Sequence, residues 1–366
     1  MKSSSDDVLH EMTETLESLA KKGVSRRDFM KFCTGMAALL ALPASFIPKI
    51  AEAVTGGKKP ILVWLEYQDC AGDTEALLRV TKPTVGQLIL DILSVDYHET
   101  IMAPSGFQAE KSLRDVVENH KGNYLVVVEG SIPMKDDGVY CCIGGRSAVD
   151  LAREVCGNAL ATIAVGTCAT YGGIPAASPN PTGAVGVKEA VPNATVINLP
   201  GCPANAENIS ATIVHYLTFG KLPSTDKLGR PYFAYGKRIH DNCERRGHFD
   251  AGQFARQWGD EGHRQGWCLY EMGCKGPETF HNCPTIKYNE GTSWPVQAGH
   301  GCIGCSEPSF WDTMSPFYKR LPKVPGFGVE STADKVGAGL AAATAAGILA
   351  HGIGRAIKPR KEEGGE

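Results

Sequence analysis

The sequence predicts an α/β fold: a flavodoxin-like doubly wound parallel sheet, followed by an irregular domain of loops and short helices. Three observations carry this. Between Pro60 and about Gly220, short apolar runs alternate with helical patterns, which implies parallel strands with helices on both faces. Beyond Arg230 the alternation stops, and Gly, Pro and aromatic residues take over. Six of the 13 cysteines, from Cys243 to Cys305, crowd into that second stretch.

The first domain, assigned to residues 54–230, reads in order as strand "ILVWLEY", helix "DTEALLRV" and "LILDILSVDYHE" ending in a strand. Then come helix "QAEKSLRDVVENH", strand "NYLVVVEG", helix "RSAVDLAREVCG", strands "ALATIAVG" and "TVINLPG", and helix "AENISATIVHYLTF". In such a sheet, functional groups collect beyond the carboxyl ends of the strands. Cys70, Glu129, Cys168 and Cys202 all fall there, and three thiolates at one crevice suit an iron-sulfur cluster. Cys141, Cys142 and Cys156 read as small core residues.

The second domain, residues 231–330, offers one histidine and six cysteines: His240, Cys243, Cys268, Cys274, Cys283, Cys302 and Cys305. Seven donors divide into a four-ligand 4Fe-4S site and a three-cysteine 3Fe-4S site. A pair of zinc sites fits the donor types equally, but zinc gives no reason for successive centres along one chain.

The ends carry addresses. In residues 1–53, "SRRDFMK" precedes the apolar run "FCTGMAALLALPASFIP" and the small-x-small "AEA", the pattern of a twin-arginine (Tat) export signal. Such export moves folded proteins through the Tat translocon, so Cys33 is expected to leave with the signal. In the tail, residues 331–366, Val336 to Gly354 lack formal charge and are followed by Arg355, Lys358, Arg360 and Lys361. That reads as a membrane anchor helix, or as a small-residue helix packed on a partner. A net charge of -3 gives no argument for nucleic acid, and 43% hydrophobic with 21% charged residues fits a globular chain.

Together, the twin-arginine signal, "LDILSVDYHETIMA", "VVVEGSIPMKDDGVYC", "VGTCA", "INLPGCP", "RIHDNC", "CLYEMGCKGP" and "AGHGCIGCSEPSFWD" resemble the small subunit of a membrane-bound, nickel-iron uptake hydrogenase. The resemblance implies an electron-transfer subunit, inactive alone, whose large partner holds the nickel-iron centre and oxidises H2. It implies a proximal 4Fe-4S cluster on Cys70, Cys168 and Cys202, and a medial 3Fe-4S cluster on Cys283, Cys302 and Cys305. Pro295 stands near the corner where relatives carry a fourth medial cysteine. A distal 4Fe-4S cluster would take His240, Cys243, Cys268 and Cys274. Electrons would leave on the His240 side for a membrane b-type cytochrome and the quinone pool, from a complex facing the periplasm, with a dimer of heterodimers as an assembly. The rival is a ferredoxin-like electron-transfer subunit of another respiratory complex, which shares the first domain but lacks the array from His240 to Cys305.

One departure matters. The family's turn is Cys-x-x-Cys, whereas this chain has Cys70-Ala-Gly-Asp73. Asp73 is expected either to replace the missing thiolate with a harder oxygen donor or merely to favour the start of the following helix. The extra cysteines of oxygen-tolerant relatives are replaced by Gly72 and Gly173. Glu129 is expected near the proximal cluster, for proton handling or cluster support.

Overall fold

A computed structural model of the chain describes residues 25–55, 59–81, 84–321 and 333–357. Five parallel strands form the central sheet: β1 (Ile61–Glu66), β2 (Ser94–His98), β3 (Tyr124–Glu129), β4 (Ala161–Val165) and β5 (Val196–Leu199), in spatial order β2-β1-β3-β4-β5. This is the flavodoxin-like order expected from the sequence.

The sheet is buried on both faces because its strands are apolar at nearly every position, and β3 is buried along its whole length. Side chains alternate between two cores. Leu62, Trp64, Leu125, Val127, Ile163, Val165 and Ile197 share one. Val63, Leu65, Val126, Val128 and Ala164 share the other. Helices α1 (Arg26–Leu39), α2 (Ile47–Thr55), α3 (Gly72–Leu78), α4 (Phe107–Asn119), α5 (Ala148–Gly157), α6 (Gly166–Tyr171) and α7 (Ala206–Phe219) surround the sheet. Leu113 and Val116 of α4 and Leu151 and Val155 of α5 close the second core, whereas Ile209, Ile213 and Val214 of α7 close the first.

The N-terminal segment folds onto the same domain. Ser25 caps α1 by accepting from the Asp28 amide at 3.1 Å. Phe29, Phe32, Cys33 and Met36 of α1 and Ile50 and Val54 of α2 join the first core. Residues 1–24 lie outside the described residues, as do Lys358, Arg360 and Lys361 of the basic flank.

Register positions the site. Glu66 pairs with Glu129, Glu129 with Val165, and Val165 with Leu199, so four strand ends are level. The segments beyond them, the loops of Cys70 and Cys202 and the short helix α6 that holds Cys168, bring the three cysteines to one edge.

The second region has little regular structure. Its helices are four- or five-residue turns, such as Tyr232–Tyr235, Arg246–Asp250 and Cys283–Ile286. Its core includes the cysteines themselves: Cys283 and Cys302 are buried with Ile239, Leu269, Trp294 and Val296, and Cys243 and Cys274 pack against them. Arg230 joins the two regions: its guanidinium pairs with Asp226 at 2.8 Å and with Glu307 at 3.0 Å.

The chain's last described helix is α8 (Ala333–Ile357). Its segment Gly337–Arg355 is 19 residues long with mean hydropathy 1.3, and none of it is buried against the rest of the protein. At about 1.5 Å per residue it reaches roughly 28 Å, close to the hydrocarbon thickness of a bilayer. One core expectation is corrected. Cys156 is buried, but Cys141 is only partly so, and Cys142 is exposed on a two-residue strand, too near the surface to pack.

Candidate functional site

At the sheet edge, α3 starts from Ala71, held at φ 54°, and turns its first amides inward. Glu129, 1% exposed at the end of β3, receives them: Oε1 accepts from the Asp73 amide at 2.8 Å, and Oε2 from the Thr74 amide at 2.9 Å and the Thr74 hydroxyl at 2.6 Å. A buried carboxylate at a helix N-terminus satisfies amides that have no partner within the helix. Burial raises the Glu129 carboxyl, and the bonds from Thr74 and Asp73 oppose the rise. The residue therefore supports the turn that presents Cys70 and Asp73.

Asp73 is buried, at 7% exposure, unlike an ordinary solvated acid at a helix start. Its Oδ1 accepts from the Ala204 amide at 2.6 Å, in the loop of Cys202. Its Oδ2 packs on Gly166, where an added Cβ would lie 2.0 Å away. Burial, then the charge of Glu129, pushes its carboxyl up to about 8. Such a group gains from a nearby cation. Gly72 and Gly173 abut this centre: a Cβ at Gly72 would stand 3.0 Å from Cys70 Sγ, and one at Gly173 2.3 Å from Cys168 Sγ.

Cys168 is raised to about 11 and Cys202 to about 12, chiefly by burial, with repulsion from neighbouring acidic groups and thiols, Asp73 and Cys70 among them, adding to each. The Thr167 hydroxyl accepts from the Gly201 amide at 2.9 Å and donates to the Cys305 carbonyl, tying the loops of Cys168, Cys202 and Cys305 together.

Cys202, Cys283, Cys302 and Cys305 line one cavity of about 740 Å³, together with Trp294 and Pro295. The Gly304 amide donates to Cys302 Sγ at 3.4 Å, and the Cys302 amide to Cys274 Sγ at 3.3 Å. Pro295 thus shares a cavity with the cysteine triad. Lys31, Phe32, Gly35, Met36 and Leu39 of α1 line the same cavity.

His240, Cys243, Cys268 and Cys274 meet in a separate small pocket with Leu269, Tyr270 and Val296. Burial, then Arg246, holds the His240 ring down to about 4, so it is neutral with a lone pair to offer at neutral pH. Burial raises Cys243 to about 11 and Cys268 to about 12, and their neighbouring thiols add to this.

Among the described residues, the three donor atoms that lie mutually within 4.8 Å belong to Glu66, Asp69 and Glu129, and no cysteine set is that tight. A mononuclear zinc site draws its sulfurs in at about 2.3 Å from one ion. A cluster spreads its ligands over several irons, so it suits the looser grouping seen here. Sequence reasoning missed Glu66 and Asp69 near the Glu129 carboxylate, Thr74 between carboxylates, and His281 beside Cys283. Glu66 ends β1 in register with Glu129, the one signal that pointed to it.

Comparison with known proteins identifies the family. Residues 235–318 match the family described as the C-terminal part of the NiFe/NiFeSe hydrogenase small subunit. Residues 70–216 match the NADH ubiquinone oxidoreductase 20 Kd subunit family. The quinone-reactive Ni/Fe-hydrogenase small chain of Wolinella succinogenes is 48% identical over 92% of this chain and 97% of its own. The uptake hydrogenase small subunit of Azotobacter vinelandii is 45% identical over 94% of this chain and 96% of its own. Among solved structures, the [NiFeSe]-hydrogenase of Dm. baculatum superposes with a TM-score of 0.68 at 34% identity, covering 72% of this chain and 100% of that one. A sheet edge with three cysteine loops, continued by a cysteine-built second region and matched along nearly its whole length, places this chain in the family of nickel-iron hydrogenase small subunits, the electron-transfer partners of the hydrogenase large subunit.

Proposed function

We propose that this subunit holds three iron-sulfur clusters in series: 4Fe-4S on Cys70, Asp73, Cys168 and Cys202, 3Fe-4S on Cys283, Cys302 and Cys305, and 4Fe-4S on His240, Cys243, Cys268 and Cys274. When bound, these clusters supply one-electron redox chemistry, which leads electrons from H2 oxidation in the large subunit toward a membrane acceptor. The residues fit that cargo. Cys202, Cys268 and Cys302, one thiol from each set, are held protonated by burial and by repulsion from neighbouring thiols, and iron removes both penalties by replacing the protons. The observation that carries the reading is the distal pocket, where four donors from three separate turns converge with no fifth function to explain them.

The chain's own residues then do three things. Glu129 fixes the turn of Cys70 and Asp73 through three hydrogen bonds, a supporting role. Leu269, Ile239, Trp294 and Val296 exclude water from the medial and distal sulfurs. His240 offers a neutral nitrogen in place of a thiolate, which leaves the distal centre less negative. Asp73, buried among the proximal cysteines, is the oxygen donor that takes the place of the absent cysteine.

The relative named quinone-reactive and the exposed apolar helix α8 support a complex anchored at the outer face of the cytoplasmic membrane, beside a b-type cytochrome. The paired arginines support delivery by the Tat translocon. Mössbauer and EPR spectra of the anaerobically purified heterodimer, wild type beside Asp73→Cys, test the reading. Two cubanes and one three-iron centre are expected, with a changed proximal spectrum in the variant. Identical proximal spectra would remove Asp73 from the ligand set, and bound zinc without labile sulfide would remove the clusters.

A further inference from the structure

The small-x-small motif of residues 51–53 lies inside α2. Ile50 is 0%, Ala51 2% and Val54 8% exposed, while Glu52 faces solvent. The Thr55 hydroxyl donates to the Ala51 carbonyl at 2.7 Å, closing the last turn over the motif. Helix α2 packs on α7 and on the turn Leu88–Ile92, and α1 packs on both α2 and α7. Just before α2, the Phe46 ring meets Phe219 at the end of α7 with centroids 5.7 Å apart, and Lys49 Nζ stands 5.2 Å from the Phe219 centroid.

A docked helix has the wrong shape for a peptidase. An extended peptide is bound as an added strand, its alternate side chains filling pockets on one side. In that form Ala51 and Ala53 point the same way and Glu52 points opposite. In a helix, residues two apart are turned by about 200° around the axis. Ala51 then faces the core, and the two alanines cannot enter neighbouring pockets together. Unwinding α2 moves Ile50, Ala51 and Val54 from the core into water, which opposes opening. Cleavage follows the population of the open form. Arg27, by contrast, is exposed near the start of α1, so the arginine end of the segment is displayed while its cleavage end is hidden.

We propose that α1 and α2 form a latch that keeps the bond between Ala53 and Val54 closed to a signal peptidase until the segment is pulled off α7 and unwound. In the step so gated, water adds across that peptide bond and leaves a carboxylate on Ala53 and an amine on Val54. Processing thereby reports that the N-terminal segment has left the folded domain. The inference rests on reading residues 1–53 as an export signal.

The test incubates the purified, unprocessed heterodimer, wild type and Phe219→Ala, with the catalytic domain of a bacterial signal peptidase, beside a synthetic peptide of residues 44–60. The variant leaves the cleaved sequence intact and loosens its seat on α7. Expected are rapid cleavage of the peptide after Ala53, cleavage of the wild-type heterodimer at least about tenfold more slowly, and an intermediate rate in the variant. Hydrogen-exchange protection is expected over residues 47–55 of the wild type. Wild-type cleavage as fast as the peptide's, or no protection over residues 47–55, overturns the latch. A variant rate equal to the wild type's overturns α7 as its seat, and the proposal with it. If the variant fails to assemble, the wild-type rate and exchange decide. A peptide left uncut after Ala53 overturns the signal reading, and this inference falls with it.

Discussion

The two regions reach similar chemistry by opposite routes. In the sheet domain, donors stand on loops and the short helix α6 beyond a ladder of paired strands, and Cys70 is exposed while the core beneath is aliphatic. In the second region, Cys283, Cys302 and Cys268 are buried and are themselves core residues, among helices of only four or five residues. The first region is a fold that carries a site; the second is a site that holds a fold together. A stretch with so few apolar contacts and so little backbone ladder needs its metal as a staple.

The largest expected effect follows from that contrast. Anaerobic iron chelation should abolish hydrogen-exchange protection across residues 235–318 while leaving β1, β3 and β4 protected. Equal loss in both regions would break the distinction. Next in size, Arg230→Ala removes the partner of the buried Glu307 carboxylate at the junction between regions. Loss of one member of a buried pair costs about 3–5 kcal/mol. It should appear as a lower thermal midpoint, with the second region opening first.

Gly166→Ala forces a Cβ against Asp73 Oδ2 at φ +77°. A destabilisation of roughly 1–3 kcal/mol is expected from the clash. Mössbauer spectra should change at the proximal centre alone. Thr74→Val removes a hydroxyl that lies 2.7 Å from Glu66 and 2.6 Å from Glu129 but keeps the amide bonds to Glu129. That should cost about 1 kcal/mol in chemical denaturation.

A last effect concerns pH. Burial, aided by Glu66 and Asp69, raises Glu99 from 4.5 to about 8. A carboxyl raised on folding stabilises fully below its unfolded value and loses that contribution as pH rises through its folded value. The wild-type thermal midpoint should therefore fall between about pH 4.5 and 8, and Glu99→Gln should flatten that slope.

Much of the fold was legible in the chain. Helix α7 spans the whole predicted run "AENISATIVHYLTF", because Asn205 caps it and Gly220 ends it in the left-handed region. The strands were legible because burial on both faces makes them continuous apolar runs between breakers. Candidate donors in the second region were equally plain, since histidine and cysteine at short spacings have few other uses. Less legible was anything that depends on two distant segments. Cys142, read as core, is exposed, because no local pattern says which cysteine of a pair turns outward.

By itself, then, the sequence determined the alternation of strands and helices and the candidate donors, since these follow from residue type and local spacing, while Asp73 stood out only against the Cys-x-x-Cys turn that the family resemblance implies. Only the tertiary structure decided that Glu129 holds the turn of Asp73, that Asp73 is buried against Gly166 and Ala204, and that His281 touches the Cys283 sulfur. Each of these depends on where a second segment arrives. Strand register and burial fix that, and neither is encoded at the residue itself.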